Sequence, residues 1–484
     1  MSVTTHPFDD DHLHEECAVF GIFNHPEASA HTALGLHALQ HRGQEAAGIV
    51  SFDEEQFHAH RDIGLVGDIF SSQAVMQRLP GTAAIGHTRY STTGEPMLRN
   101  VQPLFADLDF GGLAVAHNGN LTNALVTRQE LVSNGCIFQS TTDTEIITHL
   151  MATSRGSIVE RLISALRRLE GAYSLVLLTK DGLMGVRDPR GVRPLVLGKL
   201  DDTYMLASES CAFDIIGAST IRDVEPGELV VISKNGVESH YPFPKHDQRL
   251  CVFEYIYFAK PDSVVDGKSV YQARKRIGCE LANEAAVEAD VVVPVPDSGV
   301  PAAIGYAVEA GIPYEIGIIR NHYVGRTFIE PSAEIRNFGV RLKHNANRAI
   351  LEGKRIILVD DSIVRGTTSK KIVEMVRAAG AKEVHMRISS PPTTNPCFYG
   401  VDTPDQDQLL AAKLTVDEIC KEIAADSLAF ISIDGLYRAM NEVQRDNNNP
   451  QFCDACFSGD YPIRLTDRQS GDAPKQLSLL VESA

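Results

Sequence analysis

Arg355-Ile-Ile-Leu-Val-Asp360-Asp361-Ser-Ile-Val-Arg365-Gly366-Thr367-Thr368-Ser369 is the stretch on which the fold of the second half turns. Four consecutive apolar residues, Ile356 to Val359, are rich in β-branched types and read as a strand buried on both faces. The strand ends on two adjacent carboxylates. Gly366, Thr367, Thr368 and Ser369 follow, a loop whose N–H groups and hydroxyls can wrap an anion. A helix with Ile372, Val373, Val376 and Ala379 on one face comes next, so its positive end points at that loop. Acids suit sugar hydroxyls or Mg²⁺, and the loop suits a phosphate; together they fit a phosphorylated sugar carrying a diphosphate. An ordinary strand–loop–helix of an α/β domain is the plainer reading, but it leaves the pairing of acids with a hydroxylated loop unexplained.

The same rhythm extends outward from this stretch. From about residue 275, strands are expected at Asp290–Val295, Tyr314–Ile319, Ile356–Val359 and Glu383–Ile388, with a helix at Pro301–Ala310. Alternating β and α units predict a mainly parallel sheet with helices on both faces. Ligands of such sheets sit at the carboxyl ends of strands, where Pro296-Asp297-Ser298-Gly299 and Asp360-Asp361 both fall. The long polar stretch from Arg320 to Lys343 reads as an active-site flap. The first half has another character. Short strands at Ala18–Phe23, Ala46–Ser51, Leu113–Ala116, Ser174–Thr179 and Leu195–Gly198 mix with helices near Ala30–Leu39, Thr144–Thr153 and Ile158–Leu169. Lys180-Asp181-Gly182 between apolar runs signals a hairpin. A many-stranded α+β domain over residues 17–245 fits this pattern.

A chain of 484 residues is too long for one core. A net charge of −18 argues against a nucleic-acid partner, which needs a broad basic face. No apolar run is long enough to span a bilayer. The acidic start, MSVTTHPFDDDHLHEE, lacks the basic and apolar regions of a secretory signal. Nine cysteines in so long a chain are too few for a disulfide scaffold, and a cytoplasmic setting is expected.

The Asp360–Ser369 motif resembles the signature of type I phosphoribosyltransferases, which use phosphoribosyl pyrophosphate. A second set of motifs precedes it. Cys17-Ala-Val-Phe-Gly21 is followed by His41-Arg42-Gly43-Gln44 and Gly86-His87-Thr88-Arg89-Tyr90-Ser91-Thr92. Then come His117-Asn118-Gly119-Asn120 and Thr142-Asp143-Thr144-Glu145. Singly each is weak: a cysteine before a strand is ordinary core, and Asn-Gly is usually a turn. In this order they resemble the glutamine amidotransferase domain whose nucleophile is an N-terminal cysteine. The resemblance spans roughly residues 17–240 and includes Asp188-Pro-Arg-Gly-Val-Arg193-Pro194 and Ala207-Ser-Glu-Ser210.

Amide hydrolysis needs a nucleophile, a base and an oxyanion cradle. The Cys17 thiolate can attack the side-chain carbonyl of glutamine, with the α-amino group of the same residue, of ordinary pKa about 8, as base. That amine is free only if residues 1–16 are a propeptide cleaved between Glu16 and Cys17. The resemblance gives Asn118 and the Gly119 N–H the oxyanion hole. It gives Arg89 the α-carboxylate of glutamine, Asp143 its α-ammonium, and Arg42 and Gly43 the pocket lining.

Cys453-Asp-Ala-Cys456 is a Cys-x-x-Cys pair, which alone fits a redox pair, half a zinc site or chance; Cys251 and Cys397 are distant in sequence. Four thiolates suit Zn²⁺ or an iron–sulfur cluster equally well. Here the resemblance decides. The whole chain after Glu16 is similar to the iron–sulfur-containing, propeptide-bearing branch of the glutamine phosphoribosylpyrophosphate amidotransferases. That resemblance maps [4Fe–4S] ligands onto Cys251, Cys397, Cys453 and Cys456, and leaves Cys136, Cys211, Cys279 and Cys420 as buried small hydrophobes.

The fold implied is an N-terminal-nucleophile αββα glutaminase sandwich followed by an α/β type I phosphoribosyltransferase domain. The expected division is a propeptide 1–16, a glutaminase domain 17–245, a phosphoribosyltransferase domain 246–470 with the cluster ligands, and a flexible tail 471–484. The activity implied is transfer of glutamine-derived ammonia to phosphoribosyl pyrophosphate, giving 5-phosphoribosylamine for purine synthesis. Ser298, Asp360 and Asp361 would surround Mg²⁺. Asp297, Ser298 and Gly299 would hold pyrophosphate, Gly366 to Ser369 the 5′-phosphate, and Arg326 would close over the substrate from the flap. Feedback by purine nucleotides and a homotetramer are implied as well. Two rivals are a different glutamine-dependent amidotransferase, such as glucosamine-6-phosphate synthase, which lacks the Asp360–Ser369 motif, and a non-enzymatic nucleotide sensor, which would not need the glutaminase set.

Overall fold

The computed structural model describes residues 14–15, 17–90, 97–321 and 344–469. Arg326 with most of the expected flap, Ser91, Thr92, the rest of the leader and the tail 471–484 lie outside the described residues.

The first half is built from two stacked antiparallel sheets. A seven-stranded sheet runs, edge to edge, Ser219–Asp223, Val196–Leu200, Thr203–Ala207, Cys17–Phe23, Ala83–Arg89, Ala46–Phe52 and Phe57–Ile63. A six-stranded sheet runs Gly236–His240, Leu229–Ser233, Gly182–Arg187, Gly171–Thr179, Gly111–Leu121 and Leu104–Leu108. The two sheets share a dry interface of Val19, Val50, Ile85, Ala116, Val176 and Leu183. The sheets approach closely at Gly21, where a Cβ would stand 2.7 Å from a Val176 methyl. The outer face of the first sheet packs on helix Ala28–Ala38 through Phe20, Ile22 and Leu36. The outer face of the second packs on helices Thr144–Thr153 and Ile158–Leu166 through Val115, Leu175, Ile147 and Leu162. Helix, sheet, sheet, helix is the expected αββα order. The Lys180–Gly182 turn joins neighbouring strands, with Thr179 opposite Gly182.

The second half holds a four-stranded parallel sheet in the order Val291–Pro294, Arg355–Asp360, Glu383–Ile388 and Ser427–Phe430. Alternation along Arg355–Asp360 sends Ile356 and Leu358 into one apolar cluster and Ile357 and Val359 into the other. All four are fully buried, as a strand covered by helices on both faces requires. Helix Thr367–Ala378 covers one face with Ile372, Val373 and Val376, and helices Val270–Glu284 and Val300–Ala310 cover the other.

One expected strand is corrected. Tyr314–Ile319 is not continuous: Tyr314 makes a single parallel bridge to Val292, whereas Ile318–Arg320 pairs antiparallel with His344–Ala346. Gly317 stands between, where a Cβ would meet the Leu351 and Val293 side chains at 2.8 Å. The fourth strand, Ser427–Phe430, was absent from the sequence reading; it is half-exposed, so its apolar pattern is weak. A second correction concerns the spare cysteines. Only Cys211 is buried, while Cys136, Cys279 and Cys420 are partly exposed. The Cys279 and Cys420 thiols donate to the Gly305 and Ala425 carbonyls, each at 3.4 Å, and so do not need a fully apolar setting.

Candidate active sites

Cys17 opens the strand Cys17–Phe23, and its direct partner across the antiparallel ladder is Arg89. Arg89 is buried, and its Nη1 donates to the Asn100 carbonyl at 2.6 Å. The Asn100 side chain exchanges hydrogen bonds with Thr141 at 2.9 and 3.0 Å, which ties Arg89 to the loop that carries Asp143. Gly43 lies against the same strand end: a Cβ there would stand 2.7 Å from the Arg89 amide nitrogen.

Asn118 and Gly119 arrive from the other sheet, on Gly111–Leu121. Asn118 is fully buried, its Nδ2 is 3.5 Å from the Ser208 hydroxyl, and that hydroxyl accepts the Val19 N–H at 3.0 Å. Gly119 has φ +140°, and a Cβ on it would stand 2.1 Å from the Ala172 carbonyl oxygen, so only glycine fits. Asp143 accepts the Leu121 N–H at 2.9 Å and lies 3.5 Å from His117 Nδ1. Burial pushes its carboxyl up, but nearby His117 and the hydrogen bonds from His117, Leu121 and Thr144 outweigh this and hold it below its ordinary value. An anionic Asp143 is what an ammonium ligand needs.

Arg42 is placed differently from its neighbours. Its guanidinium is fully buried, pairs with Glu209, and donates to Glu254 at 2.6 Å. Arg193 approaches Glu254 from the other side at 3.2 Å. Burial opposes the charge on Arg42, yet the two carboxylates hold its proton more tightly than usual. Glu209 also accepts from His41 at 2.7 Å, the Lys260 N–H at 2.8 Å and the Ser263 hydroxyl at 2.6 Å. The loop of Arg42 and Gly43 is thereby anchored to residues 254–263 of the second half. Glu209 belongs to a quoted motif; nothing in the sequence pointed to Glu254.

In the second half, the described phosphoribosyl residues converge at the carboxyl ends of parallel strands. Asp360 and Asp361 are fully buried. The Ser298 hydroxyl donates to Asp361 Oδ1 at 2.6 Å, and the Ser362 hydroxyl donates to Oδ2 at 2.7 Å. The Asp361 N–H donates to Asp360 Oδ1 at 2.9 Å. The Pro296–Asp297 peptide is cis, and Asp297 pairs with Arg320. At Gly299 a Cβ would stand 2.3 Å from the Val359 carbonyl, so this loop rests directly on the strand that ends in Asp360. Gly366 has φ +78° and caps helix Thr367–Ala378; Thr367, Thr368 and Ser369 form its first turn, at the positive end of the helix dipole, which favours an anion.

Of the four cysteines named together from sequence, two are direct neighbours. Cys251 and Cys453 are direct partners in a short parallel ladder. The electrostatic fields of Cys251, Cys397 and Cys453 reach Cys456, and those of Cys251 and Cys397 reach Cys453. Burial pushes the Cys251 thiol up to about 12 against the opposing charge of Arg193, and burial foremost, with the neighbouring thiols, pushes Cys453 and Cys456 well above their ordinary value. The Tyr399 N–H donates to Cys397 Sγ at 3.3 Å. Among the described residues no group of three or more His, Cys, Asp or Glu side chains is arranged to hold a metal ion. Asp454, inside the Cys-x-x-Cys turn, accepts from Tyr437 at 2.9 Å and from Arg445 at 2.6 Å, a pair of contacts no sequence pattern announced.

Comparisons with known proteins agree on what these sites belong to. Residues 87–214 match the profile of the glutamine amidotransferase domain, and residues 262–389 that of the phosphoribosyl transferase domain. The chain is 58% identical to the amidophosphoribosyltransferase of Rhizobium etli, over 99% of this chain and 98% of that one. It is 50% identical to the Bacillus subtilis amidophosphoribosyltransferase, over 94% and 95% of the two chains. Among solved structures, the B. subtilis glutamine phosphoribosylpyrophosphate amidotransferase complexed with ADP and GMP superposes with a TM-score of 0.88 at 48% identity, covering 93% of this chain and 98% of that one. With near-complete coverage at this identity, and with both domains matched in one order, the chain belongs to the amidophosphoribosyltransferase family.

Proposed function

We propose that this chain divides the family reaction between the two sites described above. Glutamine is hydrolysed in the first half, and the released ammonia displaces pyrophosphate from phosphoribosyl pyrophosphate in the second, giving 5-phosphoribosylamine, the first committed step of purine biosynthesis. The observation that carries this reading is the presence in one chain of a strand-initial Cys17 in register with Arg89 and of the Asp360–Asp361 strand end with the Gly366 cradle.

Cys17 Sγ attacks the glutamine side-chain carbonyl, Asn118 Nδ2 and the Gly119 N–H receive the oxyanion, and Arg89 and Asp143 hold the α-carboxylate and α-ammonium. Arg42 acts through its loop, since its guanidinium is committed to Glu209 and Glu254. The cysteine amine is the base once residues 1–16 are removed. In the second half, Asp297, Ser298 and Gly299 take pyrophosphate, Gly366 to Ser369 take the 5′-phosphate, and Arg326 closes over both. Ser298, Asp360 and Asp361 offer the hard oxygen donors that Mg²⁺ prefers; when bound, the ion neutralises the leaving pyrophosphate.

The cysteine nest supports a [4Fe–4S] cluster held by Cys251, Cys397, Cys453 and Cys456. Cys251 and Cys453 are buried ladder partners, and a backbone N–H points at the Cys397 sulfur, the kind of contact that stabilises a thiolate. A cluster there would tie the 251 segment to the 397 and 453–456 segments. We further assign the domain limits 17–245 and 246–470, a cytoplasmic setting, a homotetramer, and feedback by purine nucleotides, the last supported by the ADP and GMP bound to the B. subtilis relative.

A coupled assay that follows glutamate and pyrophosphate together tests the reaction: equimolar release is expected, and glutamate without pyrophosphate in the presence of both substrates would reject it. Native and denaturing mass spectra of iron-replete protein test the rest. A chain starting at Cys17 with about four irons is expected; a colourless chain holding one zinc would reject the cluster.

A further inference from the structure

Residues 398–400 of the second half press on the strand of the first that carries the expected oxyanion residues. At Gly400, φ is +102° and a Cβ would stand 2.9 Å from the Gly119 Cα, so this backbone touches the Gly119 strand with nothing between. Asn120 Nδ2 donates to the Phe398 carbonyl at 3.0 Å. The chain continues from Gly400 into the short strand Val401–Asp402, and there it meets the leader. His14 pairs with Asp402 and Glu15 with Val401, antiparallel. Two residues after Glu15, the chain enters the Cys17 strand. His14–Glu15 is therefore held as a two-residue added strand on an edge supplied by the other half, next in the chain to Gly400 and just ahead of Cys17.

We infer that Val401–Asp402 is a docking edge for His14–Glu15, and that this pairing presents the leader for removal ahead of Cys17. The inference rests on the leader reading above. In the step itself water adds across one peptide bond: the carbonyl carbon of Glu16 gains the hydroxyl and becomes a carboxylate, the C–N bond breaks, and the nitrogen leaves as the ammonium of Cys17. Recognition by strand addition uses main-chain N–H and C=O groups, so it is indifferent to side chains and sensitive to proline. Because the edge belongs to the second half, the nucleophile is uncovered only after that half has folded onto the first.

The test follows leader removal in the full-length chain by intact mass after synthesis is stopped. His14→Pro with Glu15→Pro should slow removal by about tenfold or more, the loss expected for one or two main-chain hydrogen bonds. His14→Ala with Glu15→Ala should leave the rate unchanged. Val401→Pro and Asp402→Pro, tested singly, should slow removal in at least one case, because adjacent pairs alternate between bonded and non-bonded. Ammonia-driven synthesis reports whether each edge variant is folded, and the leader variants keep the test valid if an edge variant is not. Wild-type removal rates in the leader proline variant, or equal slowing by the alanine pair, would overturn the docking edge. A wild-type chain that never begins at Cys17 would instead overturn the leader reading.

Discussion

The two reaction sites are held by opposite strategies. In the glutaminase half the residues sit on strands of two stacked sheets: Cys17 faces Arg89 across one ladder, and Asn118 and Gly119 come from the facing sheet. Their positions follow from register, which cannot slip without turning core residues out. In the phosphoribosyl half the residues sit just beyond strand ends, on loops fixed by close glycine contacts at Gly299 and by the αL turn at Gly366. The first arrangement suits a small amino acid bound in a fixed pocket. The second suits a large, highly charged substrate, which meets backbone N–H groups and a helix N-terminus at the strand ends. Between them lies the dry ion-pair group of Arg42, Glu209, Glu254 and Arg193, which belongs to both halves.

Removing the nucleophile should break this comparison most sharply. Cys17→Ala should lower glutamine-dependent synthesis by about 10⁴-fold or more, whereas synthesis driven by external ammonia should persist. Parallel loss of both, in a protein with unchanged melting, would mean that the sites are not separable. Asp361→Asn is the mirror experiment. It removes one charge beside Ser298 and should cost the phosphoribosyl step about 10²–10³-fold, with basal glutamine hydrolysis retained; unaltered turnover of phosphoribosyl pyrophosphate would exclude the carboxylate from that site.

Glu254→Gln probes the seam. It leaves the buried guanidinium groups of Arg42 and Arg193 undercompensated, and chemical denaturation should register a loss of about 2–4 kcal/mol. Because the Arg42 loop carries Gly43 against Arg89, the KM for glutamine should rise more than that for phosphoribosyl pyrophosphate. Equal changes in both would show that the seam does not favour one site. Ser298→Ala should have the smallest effect. One hydroxyl bond to Asp361 is lost, worth about 1 kcal/mol, and a several-fold rise in the KM for phosphoribosyl pyrophosphate should appear with glutamine kinetics unchanged.

Much of this was legible in the sequence. The strand at residues 356–359 was visible because a segment covered on both faces must be apolar at every position, and all four residues are buried. The glutaminase motifs were individually ambiguous and became readable only in their order. Ser427–Phe430 was missed because a half-exposed strand carries a weak pattern. The Tyr314–Ile319 segment was misread because apolar composition does not reveal that the chain leaves one sheet for a separate hairpin.

Local pattern was enough for the order of the two domains and for the strand and helix faces they bury, because those properties are encoded over a few residues at a time. Only the tertiary structure decided which distant groups meet. It set Cys251 beside Cys453, Arg42 against Glu254, and Gly400 against Gly119. Separation along the chain says nothing about such distances. They follow from how whole layers pack: each of these contacts joins segments whose burial is dictated locally, but whose neighbours are fixed only when every other layer is in place.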